Sequence, residues 1–325
     1  MSFIQSPFGL TVLMILGLTM FGAPIGLSMI GASIFYLFFV GQDIGIAAEQ
    51  LLQGIYNSYT LLSVPLFIIA ANFMSLGAMS DKLMEFCNAL VGRFRGGMGH
   101  VNVISSLIFA GMSGSAVADA VGIGKLTIEM MVKDGRYTPS YAAAITAATA
   151  VIGPIIPPSI PMVLFALVSD ASIGYLFLAG VIPGILMALV MSLVNWRMAI
   201  KHDFPVEAPV PIRELPRITW ESLPALMMPV VLLGGIYGGV MTPTEAAAVA
   251  ASYALVVSWL LYRSVTLRAT YTSLVSSARN TASVGILIAG ALVFNYVVTI
   301  ENIPVDIKLW LDGFHLNKWQ FLLMV

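Results

Sequence analysis

Two short stretches of an otherwise apolar chain carry residue types that could hold an ion. The first is Gly153-Pro154-Ile155-Ile156-Pro157-Pro158-Ser159, set midway along the apolar run from Tyr141 to Val168. Proline lacks a backbone N–H and its ring clashes with the carbonyl of the preceding turn. Three prolines so close together therefore cannot continue an α-helix, and they free several carbonyl oxygens. At membrane depth such oxygens persist only where they are buried in protein or line a site for an ion or polar solute. The second stretch is Gly111-Met112-Ser113-Gly114-Ser115-Ala116-Val117-Ala118-Asp119. Its glycines permit a tight reversal, and the two hydroxyls and the carboxylate supply further oxygens. Neutral oxygens suit a hard monovalent cation that must leave as readily as it binds.

The elements that position these stretches are membrane helices. Hydrophobic residues make up 59% of the 325 and charged residues 10%, where a soluble domain is roughly a quarter charged. Mean hydropathy is +0.94. The apolar runs reach about 18 residues and more without period-2 alternation, which gives an all-α polytopic membrane protein and excludes a β-barrel. Cys87 is the single cysteine, so a disulfide or thiolate metal site within the chain is not expected. The start Met1-Ser2-Phe3-Ile4-Gln5 has no basic n-region or small-residue cleavage site, so a removable signal peptide is not expected either.

Apolar spans are expected at about 7–21, 24–40, 60–79, 98–118, 140–168, 173–196, 222–240, 244–262 and 281–299, with another starting near Trp319. Residues 47–58, 81–95 and 266–280 mix apolar and charged positions and read as amphipathic arms along the interface. All the Lys and Arg except Lys308 and Lys318 fall in four clusters, at 82–95, 125–136, 197–217 and 263–279. The positive-inside rule places these in the cytoplasm. Only about 20 apolar residues separate the first two clusters, enough for one crossing and not two, so the segment from residue 98 enters and turns back as a re-entrant hairpin. Its polar tip then lies at the depth of the break in the following span, the arrangement of a coupling-ion site in a secondary transporter.

The second half repeats the first weakly, at an offset near 220 residues. Pro24-Ile25 parallels Pro243-Thr244, Val64-Pro65-Leu66-Phe67 parallels Val284-Gly285-Ile286-Leu287, and Asp81-Lys82-Leu83 parallels Asp306-Ile307-Lys308. The topology puts these pairs on opposite membrane faces, an inverted repeat. Residues 1–97 read as first-repeat scaffold helices and arm, 98–168 as a transport-domain hairpin and broken helix, and 169–221 as a span and cytoplasmic loop. Residues 222–318 read as the second-repeat scaffold and arm, and 319–325 as the start of a second hairpin. Repeat symmetry leads us to expect about 90 to 110 further residues carrying that hairpin and a second broken span.

The chain resembles the large membrane subunit of tripartite ATP-independent periplasmic (TRAP) transporters, which include C4-dicarboxylate and sialic acid permeases. The resemblance runs over nearly the whole chain and is strongest at Arg95-Gly96-Gly97-Met98-Gly99-His100-Val101-Asn102-Val103, at residues 111–119, and at residues 153–162. Leu178-Ala179-Gly180, Ile182-Pro183-Gly184 and Thr242-Pro243-Thr244-Glu245-Ala246 also fit. The resemblance implies an elevator-type, sodium-driven symporter of the bacterial inner membrane that imports a small organic anion. A periplasmic substrate-binding protein would deliver the substrate and a small four-helix membrane subunit would complete the transporter, with membrane lipid as its surroundings and no nucleic acid involved. Carried over residue by residue, sodium (Na+) would bind Ser113 and the backbone carbonyls of Gly153, Ile156 and Pro158, and a symmetry-related second site would lie beyond Val325.

Several assignments have simpler competitors. Ser113 and Ser115 could be packing residues, although flanking glycines at a tip favour function. Asp119 could meet ion or substrate, or could hold the hairpin shut. Ser159 could cap a half-helix or touch substrate. Glu245 reads best as part of a capping box, His100 as interfacial, and Cys87 as packed. The pattern Gly111-Met112-Ser113-Gly114 also fits intramembrane serine proteases, but His100, His202 and His315 are all misplaced to serve Ser113 as base. A binding-protein-independent divalent-anion/sodium symporter and a passive channel are the remaining alternatives.

Overall fold

A computed structural model describes residues 6–324 apart from 57, 58, 77, 134, 170, 205, 207–209 and 316. Val325, at the expected second hairpin, lies outside the described residues, as do Asn57 and Ser58 at the end of the expected arm at 47–58 and Asp170 between the spans expected at 140–168 and 173–196. Among the described residues there is no strand. The helices are α1 (Pro7–Met20), α2 (Ile25–Val40), α3 (Gly45–Tyr56), α4 (Ser63–Ser75, preceded by a 3-10 turn at Tyr59–Leu62) and α5 (Ala78–Val91). Next come α6 (Gly97–Ser113), α7 (Ala116–Asp119), a π-helical turn at Ala120–Gly124, α8 (Lys125–Val132), α9 (Pro139–Ala150) and α10 (Ile160–Ser169). They are followed by α11 (Ile173–Lys201), α12 (Leu215–Tyr237), α13 (Pro243–Val256, continued by a π turn at Val257–Leu261), α14 (Leu267–Ile300), α15 (Ile303–Asp312) and α16 (Lys318–Met324).

Two compact units result, Met1–Ser58 with Ala282–Val325, and Tyr59–Thr281. In the first, Phe8, Tyr36, Leu37, Ala47, Val293 and Val297 form the core. The Tyr36 hydroxyl donates to Glu301 at 2.5 Å. Helices α2 and α14 approach so closely at Gly26 that a Cβ there would lie 2.6 Å from the Ile286 carbonyl oxygen. In the second unit, α13 packs along α4, and its buried residues are Ala246, Ala247, Ala250, Ala251 and Ala254 besides Thr244. Small residues let backbones approach where lipid gives helices no hydrophobic reason to associate. Helix α11 follows the same logic: Gly180, Gly184 and Ala188 are buried, while Leu178, Ile182, Leu186, Leu189 and Leu193 are exposed. Large apolar residues facing outward along a whole helix are what a lipid-facing surface requires.

Four helical segments among the described residues are long and apolar enough to cross a bilayer, or five if α4 and α5 form one bent span. One of them differs from expectation. The arm at 266–280 is not a separate helix but the beginning of α14, whose 34 residues extend about 51 Å at 1.5 Å per residue. In the first repeat the arm α3 and the span α4 are distinct helices. One difference lies at a pair of aligned positions: Pro65 sits in the first turn of α4, where proline is tolerated, whereas its counterpart Gly285 lies inside α14, where proline would not be.

The segment from residue 97 does turn back. Helix α6 ends at Gly114, whose φ of 61° suits glycine, and the returning arm lies along it. A Cβ at Gly122 would stand 3.6 Å from the Phe109 ring. The next span breaks as the prolines require, with residues 151–159 outside any helix.

Candidate functional site

The break between α9 and α10 leaves named oxygens without helical partners, each for a stated reason. In a continuous helix the Gly153 carbonyl would accept from residue 157, which is proline and has no N–H. The Ile156 carbonyl would accept from Ile160, but that N–H donates instead to the Gly114 carbonyl at 3.3 Å. The Pro158 carbonyl would accept from Met162, whose N–H is taken by Ser159 Oγ at 3.3 Å. Among the described residues none of these three carbonyls accepts a backbone hydrogen bond. The Pro154 carbonyl differs, because the Ser159 hydroxyl donates to it. Ser159 is thus both the cap of α10 and the tie across the break, which accounts for it without a substrate.

The hairpin tip docks onto this break. Besides the bond from Ile160, the tip touches it at Gly114, where a Cβ would collide with the Pro158 carbonyl oxygen. Ser113 is fully buried. Its hydroxyl donates to Asp119 Oδ1 and accepts from the Ser115 N–H at 3.4 Å. Ser115 in turn caps α7, its Oγ accepting from the Ala118 N–H at 3.4 Å. Asp119 is 2% exposed, and its Oδ2 has no hydrogen-bond partner. That oxygen faces the break: a Cβ on Gly153 would lie 2.5 Å from it. So Ser113, Asp119 and Gly153 meet directly, and the Pro158 carbonyl lies against the tip. Ile156 contributes differently, its side chain packing with Val103, Ala110, Ile152 and Ala188 in the core beside the site.

A buried polar ladder holds hairpin and broken helix together. Asn102 on α6 donates to Thr146 Oγ1 at 2.7 Å and accepts from Thr149 at 3.0 Å, and Ser106 reaches Thr149 at 3.2 Å. Deeper toward the basic end, Tyr141 donates to Asn195 Oδ1 at 2.5 Å and Asn195 donates to the Gly96 carbonyl at 3.2 Å. A Cβ on Gly99 would overlap the Asn195 side chain, which explains a glycine in the Arg95–Val103 stretch. Sequence reasoning gave no functional role to Asn102, Thr146, Thr149, Tyr141 or Asn195. Their signal was available as polar residues recurring at helical spacing on one face of otherwise apolar helices.

Other assignments resolve simply. Glu245 completes a capping box with Thr242. His100 packs edge-on against Phe94, and Cys87 is fully buried. His100 stands about 20 Å along α6 from Ser113 at 1.5 Å per residue, so it cannot act as base for that hydroxyl, which Asp119 already engages.

Comparison with known proteins follows the same lines. Residues 12–325 match the family described as "Tripartite ATP-independent periplasmic transporter, DctM component". The chain is 39% identical over 290 residues to the sialic acid TRAP transporter large permease protein SiaM of Vibrio cholerae, covering 89% of this chain and 67% of that one. It is 35% identical over 286 residues to the sialic acid TRAP transporter permease protein SiaT of Haemophilus influenzae, covering 88% and 46%. To the C4-dicarboxylate TRAP transporter large permease protein DctM of Pseudomonas aeruginosa it is 39% identical over 267 residues, covering 82% and 62%. The match therefore spans between about half and two thirds of these relatives' lengths. With its hairpin, its broken helix and this similarity along most of its length, the chain belongs to the DctM component family of tripartite ATP-independent periplasmic transporters.

Proposed function

We propose that this protein is the large membrane subunit of a sodium-driven importer of small organic anions in the bacterial inner membrane. Sodium is a co-transported ion here, held by Ser113 and the carbonyls of Gly153, Ile156 and Pro158, with Asp119 close by. The observation that carries the reading is the docking of tip on break: Gly153 and Pro158, whose carbonyls lack helical partners, lie against the tip, where Asp119 Oδ2 is buried and unpartnered. Unsatisfied oxygens cost several kcal/mol in hydrocarbon, and a cation compensates for them. Ser113 uses its one proton on Asp119, so its remaining lone pair is oriented away from that bond and free to accept a cation.

The substrate carries a carboxylate, in keeping with the names of the relatives, which point to sialic acid and C4-dicarboxylates. The N-terminus of α10, capped at Ser159, adds positive partial charge at the break. A periplasmic binding protein delivers the substrate, and a small four-helix subunit braces the scaffold helices. Residues 98–168 move as the elevator body, since the ladder from Asn102 to Thr149 ties the hairpin to the broken helix.

The reading is tested in liposomes containing the complete membrane transporter, with a sodium gradient directed inward. Accumulation of sialic acid or succinate against its own gradient, dependent on added binding protein, is the expected result. Robust uptake of free substrate without binding protein would move the protein to the self-sufficient symporters. Equilibration without accumulation would make it a channel.

A further inference from the structure

Away from the proposed sodium site, α4 and the first turns of α14 flank an open groove of about 510 Å³, within the size range of small-molecule sites. Its lining is rich in hydrogen-bond donors and contains no carboxylate. Arg268 is its one charged residue, and its guanidinium makes no ion pair among the described residues. Ser273 is 6% exposed and its Oγ has no partner. Leaving a buried hydroxyl unmatched costs about 1–3 kcal/mol, so an acceptor is missing here. Thr266 Oγ1 accepts from the Ala269 N–H at 3.2 Å, which leaves its own proton available, and Ser276 adds another hydroxyl. Asn72 on the opposite wall uses one amide N–H on Ser277 at 2.7 Å and retains the second.

A guanidinium with convergent hydroxyl and amide donors, and no competing carboxylate, matches an oxyanion. We infer that this groove binds a carboxylate or phosphate group. The basic cluster of Arg263, Arg268 and Arg279 puts it at the cytoplasmic interface. It also adjoins the hairpin: Ser75 in its wall has its Oγ 2.9 Å from where a Cβ on Gly122 would be. An anion held here sits beside the returning arm of the hairpin. Two sources offer this chemistry, a phospholipid headgroup and a soluble carboxylate, and the inference does not depend on the sodium site.

The test is binding to the purified full-length protein in zwitterionic detergent, titrated with succinate, inorganic phosphate, and short-chain phosphatidylglycerol, with phosphatidylcholine of the same chain length as control. Saturable binding of at least one anionic probe is expected. Arg268→Gln weakens it about tenfold or more, in line with loss of a charge-assisted bond. Arg268→Lys and Ser273→Ala weaken it less, and Arg263→Gln, outside the groove lining, leaves it unchanged. Preference for phosphatidylglycerol assigns the groove to lipid, and preference for succinate assigns it to a soluble anion. No saturable binding, equal binding of phosphatidylcholine, equal affinity in Arg268→Gln, or an equal loss in Arg263→Gln would each overturn the inference.

Discussion

Ser113 and Asp119 share one proton-mediated bond, and what each has left over defines the chemistry of the tip. Asp119 keeps Oδ2, buried and unpartnered against Gly153, so its carboxylate is aimed at the break rather than folded back on backbone N–H groups. Asp119→Asn preserves volume but removes the charge. We expect sodium-dependent uptake to fall at least about tenfold, the scale of one charge-assisted interaction, with little change in thermal unfolding. A large loss of stability with normal sodium dependence would instead make Asp119 a structural clasp. Asn102 is a different kind of residue, fully buried and bonded to Thr146 and Thr149 across the two helices. Replacing it with leucine leaves Thr146 and Thr149 to find other partners and should cost about 0.6 to 1.7 kcal/mol, the range for hydrogen bonds between membrane helices. Thermal unfolding in detergent measures this, and an unchanged midpoint would show that the ladder adds nothing.

At the scale of elements, prolines and glycines explain most of what was legible. Three prolines after Gly153 predicted a broken span, and glycines around Ser113 predicted a reversal, because both follow from local backbone sterics. The pairing of tip with break also followed, once the basic clusters left room for a single crossing. What the sequence did not reveal depends on distant contacts. No local signal says that the Ile160 N–H prefers Gly114, or that Asn195 reaches back to Gly96. The fusion of the second arm into α14 was missed for another reason: amphipathic character reports which face is polar, not whether the helix stops. Position 285 tests the explanation. Gly285 has open space around it, so Gly285→Ala should stabilise α14 by about 0.5–1 kcal/mol. Gly285→Pro should destabilise it by about 3 kcal/mol. Equal tolerance of both would show that the helix is already interrupted there. Gly114→Ala should be damaging by a separate route: its φ is 61°, which costs an ordinary residue about 1–2 kcal/mol, and its Cβ meets the Pro158 carbonyl. Loss of uptake with the protein still folded is the expected outcome.

For the molecule as a whole, the order of elements in the second half follows that of the first, from α12 and α13 through α14 to α15 and α16, matching α1 and α2 through α3 and α4 to α5 and α6. Such duplication is common in secondary transporters. Membership in the DctM component family is what motivates the proposed dependence on a binding protein and a small membrane subunit. Substrate choice is less legible in this chain, since the donors gathered at the tip and break are backbone groups and small hydroxyls without a guanidinium. The central claim remains that tip and break together hold a transported sodium ion. Its most direct test is a sodium titration of uptake by the complete transporter, comparing the unmodified protein with Gly153→Ala. The added methyl reaches Asp119 Oδ2 at 2.5 Å and displaces the carboxylate from the break. The account predicts a rise of about tenfold or more in the sodium concentration for half-maximal uptake, while the amount of folded protein stays the same. An unchanged sodium dependence would contradict it.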